Sequence, residues 1–353
     1  MIAIPSPPSP PGGRGRGATA EGIPVLVLGA GSWGTGLAVL LARHGRPTRL
    51  WSHDSAHLAA LERDRCNRRH LPEVSFPDAL TLVPELTRAL CEVHDIVLAM
   101  PFKGLRSLAQ MLAALRPRAL RVALACKGIE AGTHKLGHEV LAETLGDGVP
   151  TAVISGPSFA REVVAGLPTA VTVASSDAGF ATDLVFRLHQ GTFRAYTSAD
   201  VIGVELGGAV KNVLAIAAGV SDGLGFGANA RAALISRGLA EMLRLGLALG
   251  GLRETFMGLA GLGDLVLSCT DDQSRNRRLG LMLGRGTPLP EALMAIGQVV
   301  EGVYTAREVQ ALAAVHRIDM PISEQVVRLL DGASGPSEAV QTLLAREPRQ
   351  ESE

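Results

Sequence analysis

One lysine stands in the middle of a long apolar segment. The segment reads Val204-Glu-Leu-Gly-Gly-Ala-Val-Lys211-Asn212 and continues with Val-Leu-Ala-Ile-Ala. Burying an ammonium group is costly unless it has partners, and desolvation lowers the pKa of a lysine toward neutrality. Lys211 is therefore a candidate proton donor or acceptor. The spacing equally fits a lysine whose head group reaches solvent beside an interface helix, and spacing alone does not separate the two interpretations.

A glycine-rich segment with polar residues follows further along the chain. It reads Gly258-Leu-Ala-Gly-Leu-Gly-Asp264-Leu-Val, and Ser274-Arg275-Asn276-Arg-Arg comes shortly after it. Ser274 is a predicted helix N-cap with Arg275 in the first turn. Amide groups, a hydroxyl and a guanidinium would then converge, as a phosphate monoester requires. Taken alone, the segment fits a solvated basic helix start better than a binding site.

A second segment of this kind is Ile154-Ser-Gly156-Pro-Ser158-Phe-Ala160-Arg-Glu. It follows a predicted strand and precedes a predicted helix, so Ser158 is a candidate N-cap. As a structural turn the segment is ordinary. At the carboxyl end of a strand it is also well placed to bind an anion or a substrate hydroxyl.

The pattern G-x-G-x-x-G occurs near the start of the chain. It follows the apolar run Val25-Leu-Val-Leu, and its glycines are Gly29, Gly31 and Gly34. In such a loop the first glycine permits a tight turn. The second lets the backbone approach a pyrophosphate, and the third lets the helix pack on the strand. Because a strand precedes this pattern and a helix follows it, we interpret it as a dinucleotide-binding loop.

The end of the second predicted strand should select between NAD and NADP. It reads Leu50-Trp-Ser-His53-Asp54. An acidic residue at this point would bind a ribose 2′-hydroxyl, and a basic one would accept a 2′-phosphate. We favour Asp54 as the N-cap of the following helix. The sequence therefore leaves the choice of cofactor, NADPH or NADH, open.

The order of predicted elements indicates an α/β fold class with two domains. Short apolar strands alternate with helical segments over residues 23–198, which predicts a doubly wound, parallel dinucleotide-binding (Rossmann) domain. Residues 199–343 show helical spacing throughout and predict an all-helical substrate and catalytic domain. Residues 1–22 are rich in Pro, Gly and Arg and are expected to be a disordered tail, and residues 344–353 a short C-terminal tail.

Composition excludes several classes of partner. Lys+Arg and Asp+Glu are both 34, so a formal net charge of +0 argues against binding to nucleic acid. No apolar run reaches the roughly 18 residues that a membrane span needs, so no stable membrane insertion is expected. The 4 cysteines match no zinc framework, and we expect reduced thiols, a cytoplasmic protein and no metal.

The motifs together resemble those of the bacterial-type NAD(P)-dependent glycerol-3-phosphate dehydrogenases. The resemblance runs from about Val25 to Ile322, with the motifs in family order. These are GAGSWGT, MPFK, SGPSFA, ELGGAVKNVLAI, GLAGLGDLVLSC with SRNRRLG, VEGVYTA and MPISEQV. It implies an N-terminal dinucleotide fold, a helical C-terminal domain and a homodimer.

The resemblance also implies roles for individual residues. Lys211 would be the acid/base residue, and Lys103 would contact both cofactor and substrate. The other implied cofactor contacts are Gly29, Gly31, Ser32, Trp33, Gly34, His53, Ala160, Arg275, Val299 and Glu301. The other implied substrate contacts are Gly156, Ser158, Asp264, Ser274, Arg275 and Asn276.

These roles suggest a small-molecule reaction, the reversible reduction of dihydroxyacetone phosphate to sn-glycerol 3-phosphate for phospholipid synthesis. Lys211 would protonate the developing alkoxide, Lys103 would lower the pKa of Lys211, and Arg275 would anchor the phosphate. Two alternatives are kept. One is a 6-phosphogluconate or β-hydroxyacid dehydrogenase, against which the SGPSFA and GLAGLGD segments argue. The other is a nucleotide-sensing protein without turnover, which would be expected to lack the catalytic residues.

Overall fold

The computed structural model describes residues 22–115 and 120–347. Residues 1–21 of the expected N-terminal tail and residues 348–353 of the expected C-terminal tail lie outside the described residues. Within the described parts of the chain, strands of the main sheet occur between Val25 and Ser198, and helices alone follow from Val201. The fold class is the one that the sequence predicts.

The first half is built on an eight-stranded sheet of order β10-β9-β8-β7-β6-β1-β2-β5. A separate pair, β3 and β4, forms an antiparallel ribbon. The strands are β1 (Val25–Leu28), β2 (Thr48–Trp51), β3 (Cys66–Asn67), β4 (Leu71–Ser75), β5 (Leu80–Leu82), β6 (Asp95–Leu98), β7 (Arg121–Leu124), β8 (Thr151–Ser155), β9 (Thr169–Ala174) and β10 (Phe193–Ser198). Strand order reverses between β1 and β6, so the crevice at their carboxyl ends is where such a sheet binds ligands.

Helices cover both faces of this sheet. They are α1 (Ser32–Ala42), α2 (Ser55–Asp64), α3 (Leu86–Leu90), α4 (Leu105–Leu115), α5 (Gly137–Leu145), α6 (Ala160–Val164) and α7 (Ala178–Leu188). The four residues of β1, Val-Leu-Val-Leu, are all buried, with alternate side chains in the two hydrophobic clusters on either side of the sheet. Both faces of the strand are therefore covered, which explains the continuous apolar run in the sequence.

One pair of strands departs from the predicted parallel arrangement. Strands β8 and β9 are antiparallel, whereas β9 and β10 are parallel. The helix between β8 and β9 is α6, of 5 residues, and the one between β9 and β10 is α7, of 11 residues. At about 1.5 Å per residue, α6 is too short to carry the chain back along a strand that rises about 3.3 Å per residue.

The second half of the structure is helical. Its helices are α8 (Val201–Gly223), α9 (Gly227–Ala248), α10 (Arg253–Phe256), α11 (Asp264–Thr270), α12 (Arg275–Gly284), α13 (Leu289–Ile296), α14 (Glu301–Val315), α15 (Pro321–Leu330) and α16 (Pro336–Leu344). Helix α8 packs against α9, α11, α12, α14 and α15, and its backbone lies in direct contact with the backbone of α12. A Cβ on Gly219 would lie 2.1 Å from the Arg277 carbonyl oxygen, and one on Gly280 would lie 2.1 Å from that of Ile216. Glycine is required at both positions.

Helix α8 is also the described helix that is long and apolar enough to cross a membrane. Its mean hydropathy over an 18-residue window is 1.6, and 83% of that window is buried inside the protein. A helix of this kind was not expected from the sequence, because Glu205, Lys211 and several glycines interrupt its apolar residues. A core helix passes the same test of length and composition, and the burial of α8 fits that interpretation.

Candidate active site

The three glycines of the loop after β1 are required for different reasons. Gly29 has φ +115°, and a Cβ there would lie 2.7 Å from the Ala99 carbonyl oxygen. A Cβ on Gly34 would lie 1.9 Å from the Gly29 carbonyl oxygen. Around Gly31, by contrast, a Cβ would meet no atom within 4 Å. The first and third glycines thus permit the packing of strand, loop and helix, while the second leaves space beside the backbone.

The N-terminus of α1 faces this space with its amide groups available. Its N-cap is Gly31, which has no side chain to accept their hydrogen bonds, and no acidic residue lies in the first turn. Ser32 and Trp33 at the start of the helix are half-buried. Free amide groups, a positive helix end and room for an approaching oxygen fit the diphosphate of a dinucleotide.

The segment after β2 is the one expected to read the adenosine ribose. Asp54 is the N-cap of α2, and its carboxylate accepts a hydrogen bond of 2.9 Å from the His57 amide. This confirms the capping interpretation of Asp54. His53 is exposed just beyond the carboxyl end of β2. The Asp54 carboxylate is therefore committed to the helix start, next to the exposed His53 side chain.

The MPFK segment follows β6, next to the glycine loop. Phe102 to Gly104 form a 3-10 turn, and the Phe102 amide donates to Glu301 at 3.4 Å. Lys103 is exposed, with Nζ 5.6 Å from the centre of the Tyr304 ring. Residues of the helical half thus contact the turn that holds Lys103.

The SGPSFA segment lies at the carboxyl end of β8. The Ser158 hydroxyl donates to the Gly156 carbonyl oxygen at 3.0 Å, and the N-cap of α6 is Phe159. Ser158 is therefore not the N-cap that the sequence suggested, and its hydroxyl stabilises the preceding turn instead. Ala160 starts α6 against α1, where a Cβ on Gly36 would lie 3.4 Å from the Ala160 Cβ.

A buried cluster of charges surrounds Lys211. The Lys211 ammonium donates to the Asp264 carboxylate at 2.8 Å and to the Ser268 hydroxyl at 2.7 Å. The residue is 9% exposed and Asp264 2%. Helix α8 supplies the lysine and α11 supplies both partners. Of the two interpretations open in the sequence, the structure shows a buried lysine with partners and not one that reaches solvent.

A second lysine completes the cluster, and the sequence interpretation did not include it. Lys127 lies just beyond β7, and its Nζ donates to the other oxygen of Asp264 at 2.5 Å. Lys103 was expected to be the second cation beside Lys211, but its side chain lies against Tyr304. The available signal was a lysine three residues past the end of a buried strand, at the edge of the sheet where ligands bind. Ser268, one turn after Asp264, was also missed.

These contacts set the pKa values of the cluster. Burial lowers the pKa of Lys211 to about 8, Asp264 opposes this shift, and the charge of Lys127 adds to it. Burial alone would raise the pKa of Asp264, but the charges of Lys127 and Lys211 more than offset this and lower it. The carboxylate therefore stays ionised between two ammonium groups, and Lys211 exchanges its proton near physiological pH.

The start of α12 contains the predicted anion-binding residues. Ser274 caps the helix by accepting from the Arg277 amide at 3.3 Å. Arg275 is exposed and donates to the Val299 carbonyl oxygen at 2.8 Å. Asn276 is buried and donates to the Asn212 side chain at 2.9 Å. The Asn212 contact places the start of α12 beside Lys211.

The segment before α14 is joined to the start of α12. The Asn276 side-chain oxygen accepts from the Gly302 amide at 2.9 Å, next to Glu301. Burial raises the pKa of Glu301, which lies half-buried between the MPFK turn and Arg275. Arg275 is thus hydrogen-bonded to Val299, while Glu301 accepts from the Phe102 amide of the sheet domain.

Within the described residues, no group of three or more His, Cys, Asp or Glu side chains could hold a metal ion. The four cysteines are free. Burial raises the pKa of Cys269, close to Lys211, to about 12, so this thiol is not a nucleophile at neutral pH.

The fold and the site define a class of protein. A glycine loop at the switch point of a parallel sheet, joined to a helical domain with a buried lysine, is the arrangement of a dinucleotide-dependent oxidoreductase. Residues 24–181 match the N-terminal domain of the NAD-dependent glycerol-3-phosphate dehydrogenases, and residues 200–341 match the C-terminal domain. The chain belongs to this family.

Individual relatives agree with this assignment. The chain is 55% identical over 331 residues to a glycerol-3-phosphate dehydrogenase (NAD(P)+) from Nitrosococcus oceani, a match covering 94% of this chain and 96% of the relative. It is 54% identical over 334 residues to one from Aeromonas hydrophila, with 94% and 100% covered. The crystal structure of the Coxiella burnetii glycerol-3-phosphate dehydrogenase superposes with a TM-score of 0.90 at 51% identity, covering 92% of this chain and 99% of that one.

Proposed function

We propose that the protein catalyses the reversible reduction of dihydroxyacetone phosphate to sn-glycerol 3-phosphate with NADH or NADPH. The relatives named above carry this activity in their names. The observation that most supports it here is the buried Lys211, hydrogen-bonded to Asp264 and Ser268, with a pKa of about 8. A ketone reduction needs a proton at the carbonyl oxygen, and a lysine titrating near neutrality can deliver one.

In this proposal Lys211 Nζ holds the proton for the C2 oxygen of the substrate, and its charge stabilises the developing alkoxide. Asp264 accepts from both lysines and fixes where the two ammonium groups lie. Lys127 adds positive charge on the sheet side of the site and favours proton release from Lys211. The other implied contacts, Lys103, Gly156, Ser158 and Ala160, are proposed to line the pocket between the domains.

The phosphate of the substrate is proposed to bind at the start of α12. Ser274 and Asn276 shape this helix end, and Arg275 supplies an exposed guanidinium with one nitrogen committed to Val299. A guanidinium has five N–H donors, so several are left for phosphate oxygens. The positive end of the helix adds to the attraction.

The glycine loop is proposed to hold the cofactor, with its diphosphate at Gly31, Ser32 and Trp33 and its adenosine near His53. When bound, the reduced nicotinamide supplies the hydride. Val299 and Glu301 would close over the cofactor from the helical half, which fits the contact between Glu301 and the Phe102 amide. We further propose a homodimer, a cytoplasmic location and a role in supplying phospholipid precursors, all from resemblance to the family.

The direct test follows oxidation of NADH and of NADPH at saturating dihydroxyacetone phosphate. We expect turnover with at least one cofactor, and little with dihydroxyacetone, which lacks the phosphate. Arg275→Ala should raise KM for the phosphorylated ketone by about tenfold or more, because a charged hydrogen-bond donor is lost. Arg278→Ala, an exposed arginine of the same helix, is the matched control. Absence of turnover with both cofactors would refute the proposed activity.

A further inference from the structure

A buried asparagine outside the glycine loop contacts that loop. Asn67 is 0% exposed and lies at the end of β3, in the ribbon formed with β4. The ribbon has a register shift between Cys66 and Asn67. Such an irregularity re-aims a side chain. Here the Asn67 side chain lies against the loop between β1 and α1.

Asn67 uses both ends of its amide. Its nitrogen donates to the Ala30 carbonyl oxygen at 3.0 Å and to the Thr35 hydroxyl at 2.8 Å. Its oxygen accepts from the His70 amide at 3.2 Å. Since a carbonyl oxygen can only accept, the nitrogen must be the atom that faces Ala30. A buried amide satisfied in this way stabilises one geometry of its partners.

A second side chain contacts the same carbonyl. His57 Nε2 lies 3.2 Å from the Ala30 oxygen. The ring nitrogen must therefore carry its proton to make this hydrogen bond. Two donors, one from α2 and one from β3, thus hold the Ala30 carbonyl toward these two side chains.

The consequence follows from the geometry of the peptide unit. The Ala30 C=O and the Gly31 N–H belong to one planar unit, and no peptide bond in the described residues is cis. In a trans unit the two groups point in opposite directions. Holding the carbonyl toward Asn67 therefore aims the Gly31 N–H the other way. Within the parts of the chain that the structure describes, this N–H has no protein acceptor.

We propose that Asn67, assisted by His57, is a positioning residue that aims the Gly31 N–H at the diphosphate of the cofactor. The inference rests on the proposed cofactor site and assigns a function to the β3–β4 ribbon. It concerns binding of the diphosphate and not the chemical step. Loss of Asn67 should weaken ligands that contain a diphosphate, leave adenosine unaffected, and raise KM for the cofactor with little change in kcat.

The test measures equilibrium binding of ADP, adenosine and NADH to the full chain by calorimetry or by competition. Asn67→Ala should weaken ADP and NADH by about tenfold and change adenosine by less than about twofold, since only the first two contain a diphosphate. The matched control is Thr35→Val, which removes the other acceptor of Asn67 but spares the Ala30 contact. It should change ADP affinity by less than about threefold.

Unchanged ADP affinity in Asn67→Ala would overturn the proposal. So would an equal loss for ADP and adenosine, which would indicate general disruption of the pocket. If Asn67→Ala does not fold, His57→Leu serves in its place, with a smaller loss for ADP expected and none for adenosine. Because these measurements need no turnover, they remain decisive even if the ketone substrate is wrong, and an inactive wild-type protein that binds NADH would refute only the proposed reaction.

Discussion

The two halves of the site are built in different ways. In the sheet half, the glycine loop is a continuous stretch from Val25 to Gly36, and the groups it offers are backbone amides. In the helical half, the cluster around Lys211 consists of side chains from α8, from α11 and from the segment after β7. The glycine loop depends on positions that carry no side chain, whereas the cluster around Lys211 depends on charged side chains in contact with one another. Substitutions should therefore affect binding in the first and the chemical step in the second.

The largest effect is expected from Lys211→Ala. Removing the proton donor should lower kcat by about 10²–10⁴-fold and leave NADH affinity nearly unchanged, because the glycine loop is intact. Steady-state kinetics and NADH titration measure the two quantities. Lys135→Ala, at a solvent-facing lysine paired with Glu143, is the control and should behave as wild type. Wild-type turnover in Lys211→Ala would remove the lysine from the mechanism.

The pH dependence of ketone reduction should report the charge balance of the cluster. Reduction needs protonated Lys211, so the rate should fall as pH rises through about 8. Asp264 favours the charged lysine and Lys127 disfavours it. Asp264→Asn should therefore lower the pH at which the rate falls, and Lys127→Met should raise it. If the pH at which the rate falls moved in the same direction in both variants, this assignment would be contradicted.

Two glycine substitutions should separate folding from binding in the sheet half. Gly31→Ala introduces a Cβ into open space at φ −77° and ψ −174°, a conformation ordinary for alanine, so Tm should hardly change. The methyl group would occupy the space proposed for the diphosphate, and NADH affinity should fall by about tenfold or more.

Gly34→Ala forces a Cβ to within 1.9 Å of a carbonyl oxygen, so Tm itself should fall by several degrees. Thermal unfolding and NADH titration check both. Equal loss of Tm in the two variants would remove the distinction.

The smallest effect concerns a buried carboxylate remote from the lysines. Glu241 is 1% exposed and accepts from the Ile322 and Ser323 amides at the start of α15. Burial raises its pKa to about 7, whereas Asp264, beside two lysines, has a lowered pKa. A raised folded-state pKa gives a stability contribution that is complete below the unfolded value of 4.5 and is lost as pH rises through about 7.

The change in unfolding free energy from this group should be on the order of 1–3 kcal/mol over that interval. Glu241→Gln, which cannot ionise, should flatten the pH dependence of unfolding by denaturant. An identical pH dependence in the variant and the wild type would show that Glu241 does not titrate in this range. The contrast between Glu241, whose pKa burial raises, and Asp264, whose pKa two lysines lower, would then not hold.

Much of the fold could be predicted from local patterns. The strand Val25–Leu28 matches the predicted apolar run, and a helix starts at Ser32, directly after the glycine loop, as predicted, because apolar periodicity and glycine mark both clearly. The antiparallel β8–β9 pair was not predicted. Strand direction there depends on whether a five-residue helix can span the sheet, which is a three-dimensional question.

Some residues of the candidate site were predicted from the sequence and others were not, because some of its contacts join distant parts of the chain. Gly29, Gly31 and Gly34 were identified from spacing, and Asp54 as a cap from its place before a helix. Lys127 was missed, since a lysine after a strand is common in sequences. Its role appears only when Asp264, 137 positions away in the chain, lies against it.

The sequence by itself determined the class of fold, the glycine loop and the presence of a lysine in an apolar helix. Each of these is indicated by neighbouring residues whose spacing follows the backbone geometry of a strand, a turn or a helix. Only the tertiary structure decided that Lys127 and not Lys103 shares Asp264 with Lys211, and that Asn67 holds the Ala30 carbonyl. Charges and hydrogen bonds act over a few ångströms in space, and the chain brings distant positions within that range only after its hydrophobic surfaces have packed.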